Sequence, residues 1–454
     1  MPRLRLTAPA KNPTGPAQPQ SEAPFTLAQA PPRTLGLLDQ LGFWGNLGVS
    51  LLGFAGALAI LTPFGVEPLS LPAAVTAIVV GSALGGAILG ASLVLGARTG
   101  APAMVLLRGL LGAKASALPT ILNIAQCVGW AVFELLVISA GLEALTGGLL
   151  PRWLCVLLAG AVTTALTIWP LGAIRILRRY VSVLVVIALG VLAVGLLRNP
   201  VPEITGSWQG FWLAVDAAVA LSISWVPLGA DYSRHSRTGR AAFLGGFLGF
   251  GVTQVACLLL GVVALSEVGQ DPDQVFDLFL AVPLGVAAFA VLVLREVDQS
   301  FANVYSTAVS IQNLRPRWDR RVLTVIIGTI AVAVALSIDI SQYTNFLYLI
   351  GAIFIPLSGA LIAAWLATGG RNWNVSPDAP FRPGMAAAWA LGFLVYQVIN
   401  PGANPGWSDA WTSLADVLHT TGHPWLSASL ASFLVAFVVA LLIARSARNR
   451  QPAG

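Results

Sequence analysis

Charge is what this sequence has least of. Only 10% of its 454 residues are Asp, Glu, Lys or Arg, whereas soluble globular chains carry about 25%. A water-facing domain of ordinary composition is thereby excluded. Histidine and cysteine are equally scarce, three of each. Cys127, Cys155 and Cys257 lie in apolar runs at no metal-ligand spacing, so they read as small core residues, not as a disulfide or thiolate metal set. His235, His419 and His423 fall near the edges of apolar runs, which leaves no buried nucleophile–base set for an intramembrane enzyme. HTTGH at 419–423, with Asp416 upstream, has the spacing of a surface metal site, but Gly422 and Pro424 argue against a helix there. No phosphate-binding loop occurs, so an ATPase motor on this chain is not expected. The first 33 residues are rich in Pro, Ala and Gln and lack the apolar stretch of a signal peptide. Residues 1–35 read as a disordered cytoplasmic tail, and 445–454 as a second one.

What the chain has is apolar length. Hydrophobic residues make up 56% of it. Twelve runs approach the ~20 residues that a spanning helix needs. They cover 41–63, 71–97, 117–142, 152–171, 179–197, 210–231, 241–266, 282–311, 321–339, 345–367, 384–400 and 424–444. The net charge of +6 does not point to nucleic acid, because its distribution follows the membrane. With both ends cytoplasmic, 22 of the 25 Lys and Arg residues fall in inner loops or tails, Arg152 and Arg198 fall outside, and Arg295 lies within a span. A miscounted helix would invert that pattern downstream, so the asymmetry supports twelve spans in a plasma (inner) membrane protein.

Several spans carry polar chemistry. Residues 294–306, LREVDQSFANVYS, place Arg295, Glu296 and Asp298 inside the eighth run. At 100° per residue, Val293, Leu294, Val297, Phe301, Val304 and Ala308 form one narrow apolar stripe that is expected to face lipid. The opposite arc, with Gln299, Ser300 and Asn303 beside the charges, must face protein or water. Two readings stand: a structural ion pair, such as Arg295 with Asp298, or an ion pathway through Asp298. In the third run Asn123, Cys127, Trp130, Glu134 and Gly141 share a face. Trp130 could stack a flat heteroaromatic ring whose edge Glu134 accepts, or both could be packed and paired within the bundle. The first run is broken by Gly42, Gly45, Gly48, Gly53 and Gly56 and carries Asn46 and Ser50; the sixth contains Ser222, Ser224, Trp225, Pro227 and Gly229. They open two successive sets of five spans, where inverted-repeat transporters place discontinuous helices, although glycine-mediated packing is the plainer reading. Asp231 closes the sixth run and reads as a gate or anchor for Arg234 or Arg237. Asp216 receives no role.

ADYSRHSR after the sixth run, FIPLSGALIAAWL at 354–366, AQCVGWAVFE in the third run and FANVYSTAVSIQNL in the eighth together resemble the nucleobase–cation symporter-1 family, the cytosine, purine and hydantoin permeases. The last stretch is most similar to its bacterial hydroxymethylpyrimidine and cytosine branch. The likeness extends from about residue 36 to 444. It implies an all-α LeuT-type fold, with inverted repeats at 36–199 and 200–367, two further helices over 368–444, and alternating access. It implies a small nucleobase or pyrimidine held by Trp130, Glu134 and Asn303, with Asn46, Ser224 and Trp225 on the broken spans. It places a coupling ion at Asp298 and the backbone near Gly48, with Arg295, Glu296 and Asp231 as charge network or gate. Asp298 stands where the family uses a hydroxyl, which leaves sodium and proton open; no cofactor or metal beyond such a sodium ion is expected. An amino-acid carrier of the same fold, a channel and an intramembrane enzyme are the rival readings. Neither the ligand nor the oligomeric state can be read from the sequence.

Overall fold

The computed structural model describes residues 23–63, 67–176, 180–198, 200–202, 204–271, 274–338, 343–370, 373–402, 404–420 and 426–449. Among these, regular structure is helical throughout, with two isolated β-bridges. That is the expected solution for apolar chain, since a helix satisfies its backbone internally without water. The first span consists of α1 (Leu37–Leu47) and α2 (Leu51–Leu61), bent by 54° at their junction. α3 (Leu71–Thr99), the short α4 (Ala103–Leu111), α5 (Ala117–Thr146), α6 (Arg152–Ile168), α7 (Pro170–Ile176) and α8 (Ser182–Leu196) follow. The sixth span is α9 (Phe211–Ile223) continued by α10 (Val226–Ser233). The seventh is α11 (Gly239–Leu244), a π-helical turn over Gly245–Phe250, and α12 (Gly251–Glu267). Then come α13 (Val275–Ala281), α14 (Gly285–Leu314), α15 (Arg320–Ala335), α16 (Tyr343–Thr368), α17 (Pro383–Ile399), α18 (Trp407–Val417) and α19 (Ala428–Asn449).

Each of the twelve apolar runs corresponds to one helix or helix pair, and the protein is a multi-pass membrane protein. Among the described residues, six spans are long and apolar enough to cross a membrane outright, and the bent α1–α2 pair makes a seventh. α6, α8 and α17 are apolar but shorter, and α14 is long enough but carries Arg295, Glu296 and Asp298. The short helices α4, α13 and α18 lie between spans and were not foreseen.

α14 is the central helix, and here the expected lipid-facing stripe is corrected. Val293, Val297, Phe301, Val304 and Ala308 are all buried; of that arc only Leu294 is exposed, at 70%. Protein surrounds the segment, so its apolar arc meets other helices. Its longest partner is α5, which runs antiparallel to it. Asn123 donates to Ser310 Oγ at 2.9 Å, Asn313 donates to Thr120 Oγ1 at 2.8 Å, and at the other end Gly141 leaves room for Val293. Asp216 also acquires a place: on α9, it accepts from the Ser427 hydroxyl and the Ser429 amide, and so caps the start of α19 from another helix.

The tail read as disordered over 1–35 is folded from Ala23 onward; residues 1–22 lie outside the described residues. The 23–36 segment crosses the end of the bundle where the basic loops gather. Leu27 N–H donates to Pro316 O, Arg320 N–H to Phe25 O, Leu35 N–H to His235 O and Arg237 N–H to Leu35 O, at 2.8 to 3.3 Å. Arg321 lies over the Phe25 ring, 4.1 Å from its centroid. This strap joins the loop after α10 to the α14–α15 turn. Composition missed it because its partners come from elsewhere in the chain.

Candidate functional site

The break in the first span organises the site. Gly48, Val49 and Ser50 separate α1 from α2 and free backbone groups that water cannot reach. α14 takes them up. Gln299 Nε2 donates to both Leu47 O and Val49 O, each at 3.0 Å. Glu296 Oε1 accepts from Leu51 N–H at 2.6 Å, while Ser50 Oγ caps Leu52 N–H at 3.1 Å. One helix thus supplies donors to the end of α1 and an acceptor to the start of α2. A β-carbon at Gly48 would meet Thr253 Oγ1 and stand 2.5 Å from Phe250 O. Glycine is therefore required for the break to rest against the π-helical turn.

Beside the break lies a small cavity. Trp130 of α5, Trp225 between α9 and α10, and Phe250 form its aromatic walls, and Trp225 meets Phe250 at a 61° interplanar angle. Ser50, Ser224, Gln254, Cys257, Gln299 and Asn303 supply its polar groups; among the described residues no charged side chain lines it. Gln254 is fully engaged, donating to Ser82 Oγ and Ala218 O and accepting from Ser222.

The charges gather behind this cavity. Arg295 Nη1 donates to Glu296 Oε1 at 2.9 Å, and neither side chain is appreciably exposed. Glu134 faces the Glu296 carboxyl, and neither of its oxygens accepts from a donor among the described residues. Asp298 accepts from Asn46 Nδ2, while Asn46 Oδ1 is buried with no donor. Three carboxyls therefore surround one guanidinium.

The family model for permeases of cytosine/purines, uracil, thiamine and allantoin matches residues 54–380. The chain belongs to this family. It is a membrane transporter of the nucleobase–cation symporter type and not an enzyme. The permease's fold is similar to that of Mhp1, a nucleobase-cation-symport-1 family transporter solved in a closed conformation with bromovinylhydantoin bound: TM-score 0.73, 16% identity, 95% of each chain covered. It is also similar to a Na+-coupled sialic acid symporter (TM-score 0.60, 10% identity, 94% and 93% covered) and to the Eremococcus coleocola manganese transporter (TM-score 0.61, 13% identity, 94% and 100% covered). At these identities the likenesses establish the LeuT-type fold alone. No curated protein sequence matches the permease.

Of the residues singled out in the sequence, Trp130, Asn303, Ser224, Trp225 and Gly48 line the permease's cavity. Glu134 and Asn46, read as substrate contacts, do not. Glu134 is one turn beyond Trp130, which carries it past the cavity into the charge cluster, and Asn46 turns toward Asp298. Gly48, near which the backbone was read as an ion ligand, stands at the cavity wall. Arg295 pairs with its neighbour Glu296 and not with Asp298. Asp231 accepts from the Ala103 amide at 2.8 Å, anchoring the first turn of α4, while Arg234 donates to the Tyr305 hydroxyl at 2.9 Å. The sixth span is interrupted at Ser224–Trp225, where both residues keep right-handed helical dihedrals; Pro227 sits harmlessly in the first turn of α10, and Gly229 packs against Leu93. His423 lies outside the described residues, and no metal-holding group of three or more His, Cys, Asp or Glu occurs among those described. Sequence reading gave no place in the site to Gln299, Gln254, Cys257 or Phe250. Gln299 was detectable, since it precedes Asn303 by one turn on the polar arc.

Proposed function

We propose that the permease imports a neutral nucleobase or aminopyrimidine, of the size of cytosine or hydroxymethylpyrimidine, by cation-coupled alternating access. The observation that carries this reading is a cavity at the broken first span with aromatic walls and, among the described residues, no charged side chain. A flat heteroaromatic ring gains stacking from Trp130 and Trp225. A zwitterionic amino acid would find no charged partner there. The cytosine/purine family supports the substrate class, and hydantoin binding in Mhp1 belongs to the same kind of chemistry.

Asp298 and Asn46 hold the coupling cation in this reading. The orphaned Asn46 Oδ1 and an Asp298 carboxylate are the oxygen donors that a hard monovalent cation takes, and an excess of carboxyls over guanidinium favours positive charge nearby. Both chain ends face the cytoplasm of an inner-membrane protein, on the strength of the loop charges.

The test is thermal stability of purified protein with a nucleobase panel, with and without sodium. A ligand at 100 times its Kd stabilises the folded state by about 2.7 kcal/mol. Trp130→Ala should abolish the shift. Asp298→Asn should keep substrate binding but lose any enhancement by sodium, because coupling between two ligands is reciprocal. The substrate reading fails if no nucleobase stabilises the wild type, and the ion assignment fails if Asp298→Asn retains the wild-type sodium dependence.

A further inference from the structure

Gln299 is almost wholly buried, 4% exposed, and lines the cavity. A primary amide has two N–H donors and one carbonyl acceptor. Both donors of Gln299 are committed to Leu47 O and Val49 O at the break of the first span. This fixes the orientation of the amide, since a flipped group would set its oxygen against two carbonyls. Oε1 accepts from no donor among the described residues and is not sealed off, so it opens to the cavity. One turn along α14, Asn303 Nδ2 donates to the main-chain carbonyl of Gln299 at 3.0 Å, which leaves Asn303 Oδ1 as an acceptor on a residue that lines the same cavity. The hydroxyl hydrogen of Ser224, on the facing helix, is given to Leu221 O at 2.8 Å, so its oxygen can only accept.

We propose that Gln299 is a specificity-determining residue: its Oε1, with Asn303 Oδ1, accepts the two hydrogens of an exocyclic amino group on the ligand, while its Nε2 holds the break of the first span. The assignment rests on the substrate reading above and gives it an edge. Two acceptors one turn apart on one helix face suit a group with two hydrogens. A ring bearing a carbonyl at that edge sets lone pairs against both oxygens and leaves them unpaired. The same amide touches the ligand and the α1–α2 junction, so occupancy of the cavity is felt directly where the first span bends.

Binding of cytosine, uracil and pyrimidin-2-one (cytosine without its amino group) should be compared by competition on wild type, Gln299→Leu and Gln299→Glu. Hydrogen exchange over residues 47–54 should be followed in the same ligand-free proteins. The wild type should bind cytosine about 10-fold or more tightly than either analogue, as expected when buried acceptors lose their donors. Gln299→Leu should bind the three alike and exchange faster at the break. Gln299→Glu, which keeps an acceptor but loses both donors, should preserve the preference for cytosine while exchanging faster. An unchanged ranking in Gln299→Leu, with cytosine still bound, overturns the specificity role and leaves the substrate reading standing. Unchanged exchange in both variants overturns the hinge role. If the wild type binds none of the three, the substrate reading falls, and the specificity role falls with it.

Discussion

Replacing Arg295 with methionine removes the one guanidinium from a fully buried group of three carboxyls. The side chain is 0% exposed, and so is Glu296, to which it donates at 2.9 Å. Taking away one partner of a buried pair costs about 3–5 kcal/mol, because the other charge is left uncompensated. Arg295→Met should fall at the upper end of that range, since Glu134 and Asp298 lose the same counter-charge. Glu296→Gln keeps an acceptor for Leu51 N–H and relieves one carboxyl, so it should cost less. Combining the two removes the pair yet keeps the Leu51 contact. Arg295 Nε and Nη2 accept no compensation in the native state, having no hydrogen-bond partner among the described residues. The double variant should therefore be more stable than Arg295→Met, by about 2 kcal/mol or more, as expected when a buried pair is replaced as a unit. Denaturant unfolding in detergent, followed by tryptophan fluorescence, measures all three. Single variants within about 0.5 kcal/mol of wild type, or a double variant whose cost equals the sum of the singles, would refute the reasoning.

Two further outcomes are expected. Cysteines introduced at Thr205 and Asp271 should label from outside the cell and one at Arg317 should not; external labelling at Arg317 would overturn the orientation drawn from loop charge. The strap should loosen in acid. Burial, with Arg234 adding to it, pushes the His235 imidazole from the ordinary 6.5 down to about 3, Arg320 lying in the same field, while Nδ1 donates to Pro32 O at 2.9 Å. The neutral form is favoured in the folded state, so its stabilisation is complete above about pH 6.5 and is lost as pH falls toward 3, by up to about 1.4 kcal/mol per unit. Exchange at the Leu35 and Arg237 amides, corrected for intrinsic rate, should rise between about pH 7.5 and about pH 5.5 in wild type. In His235→Gln it should not depend on pH; equal protection at both pH values in wild type refutes this.

The span count was legible because it needs only apolar length and the placement of Lys and Arg. Trp130, Asn303, Ser224 and Trp225 were legible as cavity residues through their motifs and their place near interrupted helices. Periodicity could not show which neighbour each polar side chain would meet. Glu134 and Trp130 share a face, but only Trp130 lines the cavity. The apolar arc of α14 looked like a lipid face because helical phase reveals two sides of a helix and says nothing of what covers each. Gln299 stood in view on the polar arc, but its employment did not: its donors answer carbonyls released 250 residues earlier in the chain.

The strap also bears on how the protein is made. Residues 23–36 leave the ribosome long before their farthest partner, Arg320. At the usual 5–20 residues per second, the segment waits roughly 15–60 s before its last docking site exists. The end of the bundle that it crosses therefore stays unlaced until the α14–α15 turn has been made, and its closure follows synthesis of the spans between. A fusion partner attached ahead of Ala23 leaves that event free to occur. One attached at Gly36 would deliver twelve properly inserted spans whose strap never forms.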